Sequence, residues 1–317
     1  MKITVILCTY NRYQSLVAAL ESILASNLPS AVEWEVLIVD NNSRDQTRRV
    51  AKEFCHRFPA HFRYLFEPNQ GLSQARNAGI QEARGGIIAF TDDDVTVEPS
   101  WLENLVSPLD DNKWSGTAGR IRLGAEFSPP PWLAVRGAFN LGGALAQFDE
   151  GETQAELTRA PFGANMAFRK CVFENYGNFR TDLGRNGGSL IGREDTEFCE
   201  RLLTAGEHIC YVPSAVVNHP VRRERLTKKY FRSYWFAQGR SSARQAGKRL
   251  SIWNIPRRCL KEFKQGLKWM FSLDRRWFLS PQGRFFCEAQ LLQAAGEIVE
   301  SSLQSFRVVR SSKATVI

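Results

Sequence analysis

The sequence predicts an α/β fold, with a mostly parallel central sheet carrying helices on both faces and a helical C-terminal region after it. Short β-branched runs alternate with amphipathic stretches up to about residue 100, the pattern of strands buried on both faces and the helices that cover them. Polar and charged residues gather immediately after these runs, where an open α/β sheet binds its ligands. Beyond residue 220 the alternation gives way to apolar residues at helical spacing among many bases.

Ile3 to Cys8 is the first β-branched run, closed by the polar turn Thr9-Tyr10-Asn11-Arg12, and Leu16, Leu20 and Ile23 mark one face of the helix that follows. Val36 to Val39 is a second buried strand, ending in Asp40-Asn41-Asn42-Ser43, where Ser43 or a neighbour can cap the next helix. Phe62 to Phe66 reads as a third strand, and Gly71 to Ile80 opens a helix containing Ala75-Arg76-Asn77. The fourth strand, Gly86 to Phe90, runs into Thr91-Asp92-Asp93-Asp94. Three adjacent carboxylates repel one another, and a shared divalent cation with oxygen ligands relieves that cost. The Gly-rich turn of a dinucleotide-binding fold is missing after the first strand, so a metal on the aspartates would have to neutralise phosphates instead.

From residue 108 to about 151 the pattern weakens. Trp114 to Gly119 can hold a strand, while Pro129-Pro130-Pro131-Trp132 and the glycines of 137–143 read as a variable surface region. Pro161 to Lys170 includes Gly163-Ala164-Asn165-Met166, and a helix starts near Val172-Phe173. The glycines of 181–193 suggest a mobile loop that delivers Glu194-Asp195-Thr196-Glu197 to the first turn of a helix through Leu202, where the helix dipole favours acids. Ile209 to Val212 and Ala215 to Val217 read as two short strands leading to Asn218-His219.

This ordered set of motifs, from Cys8-Thr9-Tyr10-Asn11-Arg12 to Glu194-Asp195 and His219, resembles the family 2 glycosyltransferases across roughly residues 1–220. The resemblance implies the GT-A nucleotide-sugar transferase fold and an inverting enzyme that uses a nucleotide-diphosphate sugar. It implies a catalytic domain over 1–220, with a nucleotide-binding half (1–107) and an acceptor and catalytic half (108–220); the charge and pattern beyond it read as a basic, mainly helical extension over 221–317. It assigns Asp40 to the nucleobase, with Thr9 and Arg76 framing base and ribose, and Tyr10, Asn11, Arg12, Asn42, Asp92 and Asp93 completing the donor site. Asp94 and His219 would ligate Mn2+ or Mg2+, with Asp93 an alternative to Asp94 within the triplet and the diphosphate an alternative partner for His219. Asp195 would be the base, assisted by Glu194, and Asn165, Met166 and Arg193 would meet the acceptor. Arg193 or Arg185 could also close over the phosphates. Arg193 itself departs from the family, standing where glycine is more usual.

Charge separates the two parts. Residues 221–317 hold 21 Lys and Arg against 6 Asp and Glu, a net of +15, which leaves −6 for residues 1–220 of the chain's +9. Arg257, Lys261, Lys264 and Lys268 fall on one helical face and Leu260, Phe263, Leu267, Met270 and Phe271 on another, with Trp253, Trp269 and Trp277 nearby. Such a segment suits an anionic membrane, so residues 250–280 are expected to make peripheral contact at the inner face of the cell membrane. A last helix is expected over Phe285 to Ile298, with Ser301 to Ile317 fraying. The seven cysteines are scattered without a zinc or disulfide spacing, and no signal-peptide core or spanning run is evident, which points to a cytoplasmic protein. A nucleic-acid partner is not expected, because the catalytic half is acidic and no nucleic-acid motif is present. The acceptor would be a carbohydrate or a lipid-linked sugar. The rival readings are a nucleotide-sugar binding protein without turnover and a nucleotidyltransferase, for which Arg12 alone is thin support.

Overall fold

A computed structural model describes residues 2–26, 32–251, 254–258, 260–261 and 280–314, with side chains as far as Phe306. Among the described residues nine strands form one mixed sheet in the order β3-β2-β1-β4-β8-β6-β9-β5, with β7 also paired to β9. Strands β1 (Lys2–Thr9), β2 (Glu33–Asp40), β3 (Phe62–Phe66) and β4 (Ile87–Asp92) are parallel neighbours, joined by α1 (Tyr13–Leu24), α2 (Thr47–Arg57) and α3 (Leu72–Glu82). All but the first residue of β1 is buried, as a strand covered on both faces must be. The chain moves outward from β1 to β3 and then returns to place β4 on the other flank of β1. That reversal opens a crevice beyond the carboxyl ends of β1 and β4, bordered by Thr9 to Arg12 on one side and Asp92 to Asp94 on the other.

After the short β5 (Thr96–Val97) and α4 (Trp101–Val106), the sheet continues with β6 (Gly116–Leu123), β7 (Ala155–Glu156), β8 (Asn165–Arg169) and β9 (Ile209–His219). Strand β8 runs antiparallel between β4 and β6. The two short strands expected over 209–217 are one strand, whose pairing with β6 jumps from Gly119↔Val212 to Arg120↔Val216. Pro213 cannot donate to a ladder, so pairing lapses there and resumes past it as a bulge.

Helix α5 (Lys170–Tyr176) follows β8, and α6 (Glu194–Thr204) buries Glu194, Phe198, Cys199 and Leu202 on one face. Phe198 stacks on Phe173 with ring centroids 4.9 Å apart and meets Phe168 edge to face. This cluster fixes the first turn of α6 against the sheet.

The chain divides into two compact units. The first comprises residues 1–125, 146–187 and 194–220, and the second residues 126–145, 188–193 and 221–317. Two stretches inside 1–220 therefore belong with the C-terminal residues. Within the second unit are α7 (Lys228–Gln245) and α8 (Pro281–Ala314). Trp132, from the Pro-rich stretch, packs edge to face on Phe231 and Phe285, and the Tyr234 hydroxyl donates to Gly143 O at 3.2 Å. Helix α8 continues past the point where fraying was expected. Glu300 is fully buried between Arg240 and Arg244, Ser301 O accepts from Leu250 N–H at 3.0 Å, and Ser305 Oγ donates to Leu250 O at 3.1 Å. Of the basic amphipathic stretch expected over 250–280, Arg257, Leu260 and Lys261 are described; Trp253, Phe263, Lys264, Leu267, Lys268, Trp269, Met270, Phe271 and Trp277 lie outside the described residues. No described helix is long and apolar enough to cross a membrane.

Candidate active site

The crevice at the ends of β1 and β4 is organised by two arginines. Arg12 Nη1 donates to Asp93 Oδ1 and to Asp94 Oδ2, both at 2.8 Å. Asp93 and Asp94 are buried, and burial pushes the Asp93 carboxyl up to about 6; Arg12 pulls it down while the Asp94 charge adds to the rise. Burial likewise raises the Asp92 carboxyl, against the pull of Arg76. His219, at the end of β9, turns Nε2 towards Asp94 Oδ1 across 3.6 Å, and its buried Nδ1 has no hydrogen-bond partner.

Arg76, on the buried face of α3, is 3% exposed and links the triplet to the start of α6. Its Nη1 donates to Glu194 Oε1 at 2.8 Å and its Nη2 lies 3.4 Å from Asp92 Oδ1. Gly163 is needed beneath it, because a Cβ there would overlap the guanidinium, with Arg76 Cζ only 2.7 Å away. Gly163 N–H donates to Asp195 Oδ2 at 2.7 Å, and Thr196 N–H donates to Asp195 Oδ1 at 2.7 Å. The Asp195 carboxylate is thus aimed by two backbone donors in a half-buried position. Burial, with the charge of Asp195 added and that of Arg76 opposing, pushes the Glu194 carboxyl up to about 7.

Residues 4–177 match the family described as glycosyl transferase family 2. The chain belongs to this family. It is 30% identical over 245 residues to a glucosyl-dolichyl phosphate glucuronosyltransferase of Haloferax volcanii (strain DS2), covering 74% of this chain and 75% of that one. It is also 30% identical over 254 residues to the succinoglycan biosynthesis protein ExoM of Rhizobium meliloti (strain 1021), covering 78% and 77%. Among solved structures it resembles the mannosyltransferase PcManGT of Pyrobaculum calidifontis in complex with GDP-Man and Mn2+, with a TM-score of 0.58 and 17% identity over 99% of this chain and 79% of that one. The protein is a glycosyltransferase with the GT-A fold.

Several residues of this family 2 enzyme sit differently from the sequence expectation. Asp40 is completely buried; its Oδ1 accepts from Ser43 N–H at 2.9 Å and its Oδ2 from the Tyr64 hydroxyl at 2.9 Å. It braces the turn after β2 rather than presenting an oxygen at the surface. Arg76 is similarly spent on Glu194 and Asp92 rather than open to a base or ribose. Asn165 and Met166, expected at the acceptor, are wholly inside the sheet. Asn165 accepts from Trp101 Nε1 at 2.8 Å and donates to Arg120 O and Ala215 O, both at 2.9 Å, so it locks β8 and the β9 bulge together. Arg193 belongs to the second unit, where its Nε donates to Gln245 Oε1 at 2.7 Å. Its φ of 72° is the left-handed conformation that glycine takes without cost, which accounts for the usual glycine at this place.

The turns after β1 and β2 are tied together: Asn11 N–H donates to Ser43 Oγ at 3.0 Å and Arg44 N–H to Asn11 Oδ1 at 2.7 Å. Asn11 and Asn42 both adopt positive φ, tolerable for Asn. Tyr10, Asn11 and Asn42 are at least partly accessible, whereas Thr9 is buried. Sequence reasoning missed Asn41, whose Oδ1 accepts from Gly71 N–H at 2.7 Å, and Asn77, which exchanges hydrogen bonds with the backbone of Phe179. An amide after a strand or beside an arginine carries no local sign of such a distant partner.

The donor set suits a divalent cation. His219 and Asp94 approach each other as a buried nitrogen and oxygen, and the histidine's orphaned Nδ1 belongs to a ring with no competing hydrogen bond. Among the described residues no group of three or more His, Cys, Asp or Glu side chains forms a complete metal cage. Two protein ligands are what Mg2+-like ions commonly use when substrate phosphates supply the rest.

Proposed function

We propose that this family 2 enzyme transfers a sugar from a nucleotide-diphosphate sugar to an acceptor hydroxyl in one inverting displacement. The reading rests above all on the Asp195 carboxylate, aimed by Gly163 and Thr196 beside an ion-paired Glu194. A sugar hydroxyl is a weak nucleophile, and a carboxylate within hydrogen-bond reach makes it stronger by taking its proton. Asp195 accepts that proton as the hydroxyl oxygen bonds to the anomeric carbon, and the bond to the nucleotide diphosphate breaks on the opposite face. Glu194 and Arg76 hold the first turn of α6 in place while this happens.

Thr9 to Arg12, Asn42 and Asp92 border the donor, with Asp40, Asp93 and Arg76 behind them as braces. Asp94 and His219 would hold Mn2+ or Mg2+, which when bound would supply positive charge to the departing diphosphate. Arg12, between Asp93 and Asp94, offsets the repulsion of their charges. The first unit carries this chemistry and the basic residues after 220 form an extension.

The acceptor is a carbohydrate or a lipid-linked sugar of cell-surface polysaccharide or glycolipid assembly, at the cytoplasmic face of the membrane. The relatives, a glucosyl-dolichyl phosphate glucuronosyltransferase and a succinoglycan biosynthesis protein, support that class. The Mn2+ and GDP-Man in the mannosyltransferase complex support the donor and cation.

The test is Asp195→Asn. Transfer should fall by about two to four orders of magnitude while donor affinity, read by calorimetry, stays within about threefold. Transfer at the parent rate would move the base elsewhere.

A further inference from the structure

On a helix packed against one partner, the outward positions are ordinarily polar. Helix α8 departs from this over its middle. Between residues 291 and 306 its exposed positions are Leu291, Ala295, Val299, Leu303 and Phe306, and all five are apolar. Leu291, Val299, Leu303 and Phe306 are 43%, 41%, 40% and 54% exposed. Steps of four, four, four and three residues keep these side chains within about 120° of arc, along about 22 Å of helix. The opposite face is fully occupied, since Gly296 closes on the backbone of Phe236 and Glu300 is buried between Arg240 and Arg244.

The charge around the stripe is one-sided. The three acids of α8 are all committed to bases: Glu288 to Arg232, Glu297 to Lys248 and Arg258, and Glu300 to Arg240 and Arg244. The helix sequence continues past Phe306 with Arg307, Arg310 and Lys313, and residues 221–317 carry a net +15. A second copy of so basic a region would be repelled, whereas an anionic lipid surface would be attracted and could also bury the stripe.

We infer that the outward face of α8, from Leu291 to Phe306, is a membrane-docking surface that lies in the headgroup region of an anionic bilayer. An interfacial helix of this kind needs an apolar face for the acyl boundary and nearby bases for the headgroups. The inference extends the lipid-side reading of the acceptor, yet its test requires neither donor nor acceptor, so failure of transfer chemistry and failure of docking are separately visible.

The experiment is co-sedimentation of the full chain with vesicles of phosphatidylcholine alone or mixed with phosphatidylglycerol, at low and high salt. Binding should require phosphatidylglycerol and weaken with salt. The double variant Leu303→Ser/Phe306→Ser should bind about tenfold or more weakly, and Leu291→Ser, at the other end of the stripe, should bind more weakly in its own right. Because these side chains are exposed, the Tm of each variant without vesicles should equal that of the parent. Unchanged vesicle binding by the variants overturns the inference. So does a parent dimer that the double variant dissociates in sedimentation equilibrium, which makes the stripe a self-interface. A clear fall in Tm without vesicles would also overturn it, because the stripe would then be covered within the chain.

Discussion

Arg76 shows how a single buried charge organises the site. Its guanidinium spans Glu194 and Asp92, 118 and 16 residues away along the chain. Removing one partner of a buried ion pair leaves the other unpaired and commonly costs about 3–5 kcal/mol. Arg76→Ala should therefore lose that order of stability in a urea melt, and Gly163→Ala should move in the same direction because its new Cβ occupies the guanidinium's place. Glu194 adds a pH dependence. Its carboxyl titrates near 7 when folded, well above the value of about 4.3 for an exposed Glu, so the folded state holds the proton more tightly. The stability it contributes is complete below about pH 4 and is lost as pH rises through about 7. Glu194→Gln, which cannot ionise, should flatten that decline by on the order of 2–3 kcal/mol between about pH 5 and pH 8. At this scale the sequence was legible where chemistry is local. Asp92 to Asp94 end a strand and Glu194-Asp195 open a helix, and both patterns are visible in adjacent letters. The partners of Arg76, Asp40 and Asn165 are set by packing across the fold, and nothing adjacent to them announces it.

At the scale of elements, period and length were readable and orientation was not. Strands β1 to β4 are near-continuous apolar runs and were located from that alone. Strand β8 escaped notice because Asn165 and Arg169 bracket only three apolar residues, and its antiparallel insertion between β4 and β6 turns Asn165 inward. The single β9 was broken in two by Pro213, which the bulge accommodates. Helix α8 runs on past Ser301, where chain-end fraying is expected, because Ser301 and Ser305 bond to the backbone of Leu250. The pairing of α7 and α8 depends on two glycines at close approach. A Cβ at Gly239 would overlap the carbonyl of Gln293, with its carbon 2.7 Å away, and one at Gly296 would overlap the carbonyl of Phe236, with its carbon 3.0 Å away. Backbone cannot rotate aside as a side chain can, so Gly239→Ala or Gly296→Ala should cost at least about 1–3 kcal/mol despite the better helix propensity of alanine. Hydrogen exchange should then quicken first in α8.

For the whole molecule, topology decides where the chemistry lies. The reversal between β1 and β4 puts the acidic triplet beside the first turn, and β9 carries His219 back to Asp94. That convergence of residues from both ends of a 220-residue stretch is why the ordered motifs together were so informative, although each alone was weak. On the proposed reading it would also couple donor and cation through one folding equilibrium. A donor at about 100 times its Kd should stabilise the folded state by about 2.7 kcal/mol, seen as a rise of a few degrees in Tm. With Asp94 and His219 as cation ligands, Mn2+ should enlarge the rise and a chelator should remove the increment. Asp94→Ala should respond to donor as the chelated parent does. The residual shift in that variant would measure what Arg12 and the neighbouring turns contribute without the cation. If chelation and Asp94→Ala both left the donor shift unchanged, Arg12 would be the group that answers the diphosphate, and the buried approach of His219 to Asp94 would serve only to close the end of β9 against the triplet.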